Sequence, residues 1–243
     1  YADGYGVEPD RELAQRTWLQ MEGSNVPVPW FYLGRLFERE DFEQAPDYAL
    51  AREYYQRSID AEDEEMLDSL VYLGYLYRAG LGGPVDYDKA LALFQQAIDG
   101  GSAEGYDQMG YSYMMGLGVD QDFTVARANF EQALDMGFFQ SVNHLGYLYE
   151  NGKGVDKDFE TAAEYYRIGV EHGLPYSECS LADFHLRKLI NGASPERGIE
   201  LLTMAAEHGD REARKKLSTI YSQGLYGVPV DDEKAAMWSD PNG

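Results

Sequence analysis

Three aspartate pairs, Asp86/Asp88, Asp120/Asp122 and Asp156/Asp158, are the first residues here whose type and spacing could do chemistry. Carboxylates on alternate residues open a Ca²⁺ loop, which draws its oxygen ligands in that rhythm. These pairs lack the loop's glycine and distal glutamate, and they recur at every predicted helix start. N-capping is therefore the reading, a side-chain oxygen satisfying free amides of the first helical turn. Two other candidates fail on arrangement. Gly101-Ser102-Ala103-Glu104-Gly105 has its serine in the wrong place for a nucleophile elbow. Gly152-Lys153-Gly154 lacks the Lys-Ser/Thr step of a phosphate loop and reads as an interhelical turn.

The four histidines are His144, His172, His185 and His208. His172 and His208 hold the same place before a terminal glycine, where partial positive charge suits a helix C-terminus. One helix stack, about 10 Å, would part them, too far for a shared metal. His144 and His185 lie in different units with no carboxylates assignable to them, so metal binding is the lesser reading. Cys179 is the only cysteine, which rules out an internal disulfide and a cysteine-rich zinc site. No constellation supports an enzyme; a hydrolase is the weakest of the readings, and no cofactor or metal is expected.

The elements that carry these residues repeat. Leu73-Gly74-Tyr75-Leu76-Tyr77, Met109-Gly110-Tyr111-Ser112-Tyr113 and Leu145-Gly146-Tyr147-Leu148-Tyr149 place their glycines 36 residues apart. The same step leads on to Leu181-Ala182 and Leu217-Ser218, while Leu33-Gly34 stands 40 residues before the first of the three. The leucine, the small residue and the aromatic share one face of a helix. Turns such as Gly116-Leu117-Gly118 and Gly152-Lys153-Gly154 follow. Caps come next, at Asp10, Asp47, Asp86, Asp122, Asp158 and Asp231, with Ser194 in the sixth unit. The second helix carries small–large–small sets, Ala90/Phe94/Ala97, Ala126/Phe130/Ala133 and Ala162/Tyr166/Gly169. Small residues let helices approach while the aromatic fills the space between neighbouring pairs. Glycines at 101, 137, 173 and 209 end this helix. Helices this short cannot bury their apolar faces alone, so neighbouring pairs must stack. The predicted units are 1–26 (partial), 27–63, 64–102, 103–138, 139–174, 175–210 (degenerate) and 211–243 (partial), in a single repeat domain spanning 1–243.

The stretch from Ser141 to Gly173 resembles the Sel-one-like repeat, a relative of the tetratricopeptide repeat, and the likeness covers nearly the whole chain. It implies an all-α, right-handed α-α superhelix, a solenoid of helix pairs about 36 residues long, with first helices lining a concave side. It implies an adaptor that assembles complexes, most often in bacteria; some relatives look like immunity proteins that neutralise one secreted toxin. The sixth unit departs from the pattern, with Ala182 for glycine, His185 for tyrosine and Gly198 for alanine, which predicts a local distortion or a special contact. Carried over residue by residue, the likeness points Tyr75, Tyr111 and Tyr147 into the groove. Around them stand Asp68 and Arg78; Glu104, Asp107 and Met114; Gln140, Asn143 and Glu150, with Arg35 and Asp183 continuing the row. Rigid rings with hydroxyls suit a protein or peptide partner. The alternative is that these rings pack against the neighbouring first helix.

Charge narrows the partner. With 43 acidic and 20 basic residues the 243-residue chain carries a formal charge of -23, so nucleic-acid phosphates would be repelled over most of the surface. A basic protein or peptide fits, unless the acid serves solubility alone. Arg211, Arg214, Lys215 and Lys216 form a basic cluster, either a solvated helix face or a contact for a weak homodimer in place of a monomer. No apolar stretch approaches the roughly 18 residues of a membrane span. Tyr1 is not an initiator methionine, so a leader or further repeats can have preceded it; bacterial cytoplasm and periplasm both stay open.

Overall fold

Side-chain oxygens set where the helices begin. The computed structural model describes residues 11–21, 28–39 and 45–239. Among these residues the helices are α1 (Arg11–Leu19), α2 (Trp30–Glu38), α3 (Tyr48–Ala61), α4 (Met66–Ala79), α5 (Tyr87–Asp99), α6 (Ala103–Met115), α7 (Phe123–Asp135), α8 (Ser141–Asn151), α9 (Phe159–Glu171), α10 (Pro175–Leu186), α11 (Pro195–Glu207), α12 (Arg211–Gln223) and α13 (Asp232–Trp238), with one 3-10 turn at Leu225–Gly227 and no strand. Asp47, Asp86, Asp122, Asp158, Ser194 and Asp231 each accept an amide of the helix that follows. They answer donors that the helix itself leaves open. Asp10 lies outside the described residues. Ser102 and Asp210 do the same for α6 and α12.

The cap residue also folds the second helix back onto the first. Its own N–H donates to a first-helix carbonyl three residues beyond the repeat's small residue: Asp47 to Phe37 at 2.9 Å, Asp86 to Tyr77 at 3.0 Å, Asp158 to Tyr149 at 2.9 Å and Asp231 to Tyr221 at 2.9 Å. The connecting turn needs left-handed backbone. Gly152 and Gly154 have φ of +64° and +69°, a region costly for residues with a Cβ. A Cβ on Gly154 would also stand 2.7 Å from that of Phe123.

Packing within a pair rests on the Leu-Gly step. Leu33, Leu73, Leu145 and Leu217 are fully buried. The adjacent glycine receives an aromatic ring from the second helix of its own pair: Tyr55 on Gly34, Phe94 on Gly74 and Tyr166 on Gly146. The same rings also reach the next pair, with Tyr55 beside Tyr72 at 5.8 Å and Tyr166 beside Phe184 at 5.6 Å between ring centres, so they fill the space between pairs as expected and cover the glycine of their own pair as well. The ring edge reaches the bare backbone because only a missing Cβ leaves the room.

Residues 1–121 and 122–243 form two compact units. In the first, α2 to α6 pack in succession, and α4 also touches α2 and α6. In the second, α7 to α13 pack in succession, and α8 also touches α10. First helices therefore lie side by side within a unit. Each unit has its own core, built around Leu33, Tyr55 and Leu73 in the first and around Tyr166, Leu181 and Leu201 in the second. The fold class is all-α, a stack of helix pairs.

Candidate protein-binding surface

In the first unit, α2, α4 and α6 present their outward residues together. Tyr75 follows Gly74 on α4 and is 44% exposed; Tyr111 follows Gly110 on α6 and is half-buried. Arg78 holds the two rings. Its guanidinium lies 5.8 Å from the Tyr75 ring centre and 4.8 Å from that of Tyr111, and Nη2 donates to Gln108 Oε1 at 2.5 Å. A planar cation on aromatic faces is favourable, and its rigid fork fixes the geometry. Arg35 repeats the device from α2: it stacks 4.4 Å from the Tyr72 ring centre and donates to the Tyr72 hydroxyl at 2.5 Å. The arginine of one first helix thus bonds the residue two before the glycine of the next.

Carboxylates flank this row. Asp68 is exposed and Glu104 half-buried. Burial raises the Glu104 carboxyl above its ordinary value, and repulsion from Asp68 and Asp107 raises it further against the pull of Arg35. A cation placed there would add to the pull of Arg35 and oppose both effects. Asp107 and Met114 are only 5% and 7% exposed, so they offer a partner little surface. Tyr32, 48% exposed on α2 beside Glu65, extends the aromatic row. It and Tyr72 stand two before Gly34 and Gly74, a position outside the register read from the sequence, which took the residue after the glycine with those three and six before it and four after it; their common place was the available signal.

In the second unit, Tyr147 is half-buried and Gln140 exposed on either side of the α8 start. Their companions are engaged inside the unit. Asn143 Oδ1 accepts from Ser177 at 2.5 Å, Glu150 accepts from the Tyr166 hydroxyl at 2.9 Å, and Asp183 pairs with Lys216 at 2.7 Å.

The histidines have separate partners. His172 Nδ1 meets the Ile168 carbonyl at 2.9 Å, at the helix end where donors are wanted. His208 instead meets the fully buried carboxylate of Glu178, 2.9 and 3.0 Å from its two oxygens. In the irregular sixth unit, Ser194 N–H donates to His185 Nδ1 at 3.1 Å, where other units use a backbone carbonyl. Burial lowers the His185 value, helped by Arg197 and Arg167; a ring that must accept at Nδ1 is held neutral. Among the described residues no three His, Cys, Asp or Glu side chains converge as metal ligands would, and no helix is long and apolar enough to cross a membrane.

The Sel1 repeat model matches residues 1–16, 31–63, 67–102, 103–138, 140–174, 191–210 and 211–239. Among curated proteins none matches the chain in sequence. Among solved structures, a Sel1 repeat protein from Oxalobacter formigenes is similar at 25% identity and a TM-score of 0.77, over 94% of this chain and 91% of that one. The c5321 protein, described as a protective antigen of uropathogenic Escherichia coli, is similar at 24% identity and a TM-score of 0.59, over 97% and 57%. The immunity protein Pa5087 of Pseudomonas aeruginosa is similar at 20% identity and a TM-score of 0.59, over 90% and 80%.

Proposed function

Because the chain belongs to the Sel1 repeat family, we propose that it is a non-catalytic scaffold or adaptor that binds a protein or peptide along its first helices. The observation that carries this reading is the arginine-braced pair Tyr75 and Tyr111, flanked by Asp68 and Glu104. Braced rings offer contact area with little entropy left to lose, and the flanking carboxylates favour a basic, partly apolar segment. A free carboxyl pushed towards its protonated form gains when a lysine or arginine approaches.

Affinity capture with the intact protein, followed by titration of the captured partner, tests the proposal. Changing Tyr75→Ala together with Tyr111→Ala should weaken binding roughly tenfold or more, as for two interface anchors, while helicity and melting hold. Collapse of the fold in that variant would assign the rings to packing and refute the binding role. The narrower reading, an inhibitor of one basic secreted enzyme such as a toxin, draws on the 23 acidic against 8 basic residues of the first unit. One nanomolar partner would favour it; many weaker ones favour the scaffold.

A further inference from the structure

We propose that a cavity of the second unit binds a polypeptide segment in which a carboxylate side chain stands beside an aliphatic one. The cavity, about 350 Å³, lies between α10, α12 and the 3-10 turn that follows α12. That is the size of a small ligand site. Its floor is aliphatic: Leu186 and Ile220 are 6% and 3% exposed, and Leu225 is half-buried beside them. At its mouth Tyr226 is 43% exposed and held at φ +56°, in the left-handed region where a side chain is crowded. Strained backbone of this kind collects at ligand-holding sites.

Charge selects the occupant. Helix α12 is where the acidic chain turns basic, with Arg211, Arg214, Lys215 and Lys216 against Glu212 alone. Lys216 is already committed, 2.7 Å from Asp183 and 3.6 Å from the Cys179 sulfur. Lys215 is different. Its partner, Glu212, lies 3.0 Å away on the same helix, and both side chains are nearly two-thirds exposed. Such an exposed pair is weak and exchanges readily. An incoming carboxylate can therefore replace Glu212 on Lys215, with Arg211 one turn earlier on the same helix face. The aliphatic neighbour then covers Leu186 and Ile220. Asp183 and Glu212 line the cavity too, each beside a lysine, so the occupant binds by displacing the weakly held Glu212; negative charge beyond about 8 Å is screened in physiological salt. This inference rests on the scaffold reading only in taking the occupant to be polypeptide.

Methyl NMR of the full chain, titrated with N-acetyl-glutamyl-leucine amide and with its glutaminyl counterpart, tests it. The glutamyl probe should shift the Leu186, Ile220 and Leu225 methyls saturably and bind about fivefold tighter than the glutaminyl one, the factor an exposed ion pair supplies. Lys215→Gln should abolish that preference without lowering the melting temperature. Equal binding of the two probes, no saturable shift, shifts confined to other methyls, or a preference that survives Lys215→Gln would each overturn it. The Tyr75→Ala/Tyr111→Ala variant should give the same titration, so the cavity and the tyrosine row stand or fall separately.

Discussion

Gly146→Ala puts the packing logic of the repeat at risk with a single methyl group. A Cβ on Gly146 would meet the Tyr166 ring at 2.7 Å from Cζ and 2.8 Å from Cδ1, closer than carbon atoms pack. The ring has nowhere to go. It is fully buried, its hydroxyl is bonded to Glu150 at 2.9 Å, and Phe184 stands 5.6 Å away, centre to centre. Overpacking of this kind costs about 1–3 kcal/mol, while alanine gains about 0.8–1 kcal/mol over glycine inside a helix. The net loss should be about 0–2 kcal/mol in the natural background. In a Tyr166→Leu background the clashing ring atoms are gone, and the same substitution should stabilise by about 0.8–1 kcal/mol. The sign of the effect therefore reverses, with a coupling energy of about 1–3 kcal/mol. Urea unfolding of the four proteins, followed by circular dichroism, gives that coupling directly. An equal effect of Gly146→Ala in both backgrounds would refute the account of why the repeat places a glycine after its leucine.

Two further outcomes are expected. Asp86→Ala removes the acceptor of the Lys89 amide at 2.9 Å and should cost about 0.5–2 kcal/mol of stability, read as a lower melting temperature that Asp86→Asn largely restores. His185 titrates below its ordinary 6.5 in the folded chain, so the unfolded chain takes up more protons as the medium is acidified. Its contribution is then complete above 6.5 and is lost as pH falls from there towards the folded value. Melting curves across that window should show a loss that His185→Asn, which keeps an acceptor for the Ser194 amide, largely abolishes.

Much of this protein was legible before any coordinates. The 36-residue recurrence gave the helix pairs, and the aspartates at fixed offsets gave the helix starts, because capping and helical periodicity are local and leave their marks within a few residues. The candidate surface was legible only in part. Tyr75 and Tyr111 follow from the register, but the bond from Arg78 to Gln108 joins residues 30 apart on different helices. So does the contact between His208 and the buried Glu178. Long side chains choose partners across a stack by reach and burial, which no spacing rule encodes. The same limit explains why the aromatic of the second helix was expected between pairs but not also on the glycine of its own pair. Its small neighbours are visible in sequence, yet which bare backbone the ring covers depends on how two helices are brought together. Local sequence fixes where a helix begins, ends and hides its apolar face; only the packed chain decides which charges are spent on one another and which remain for a partner.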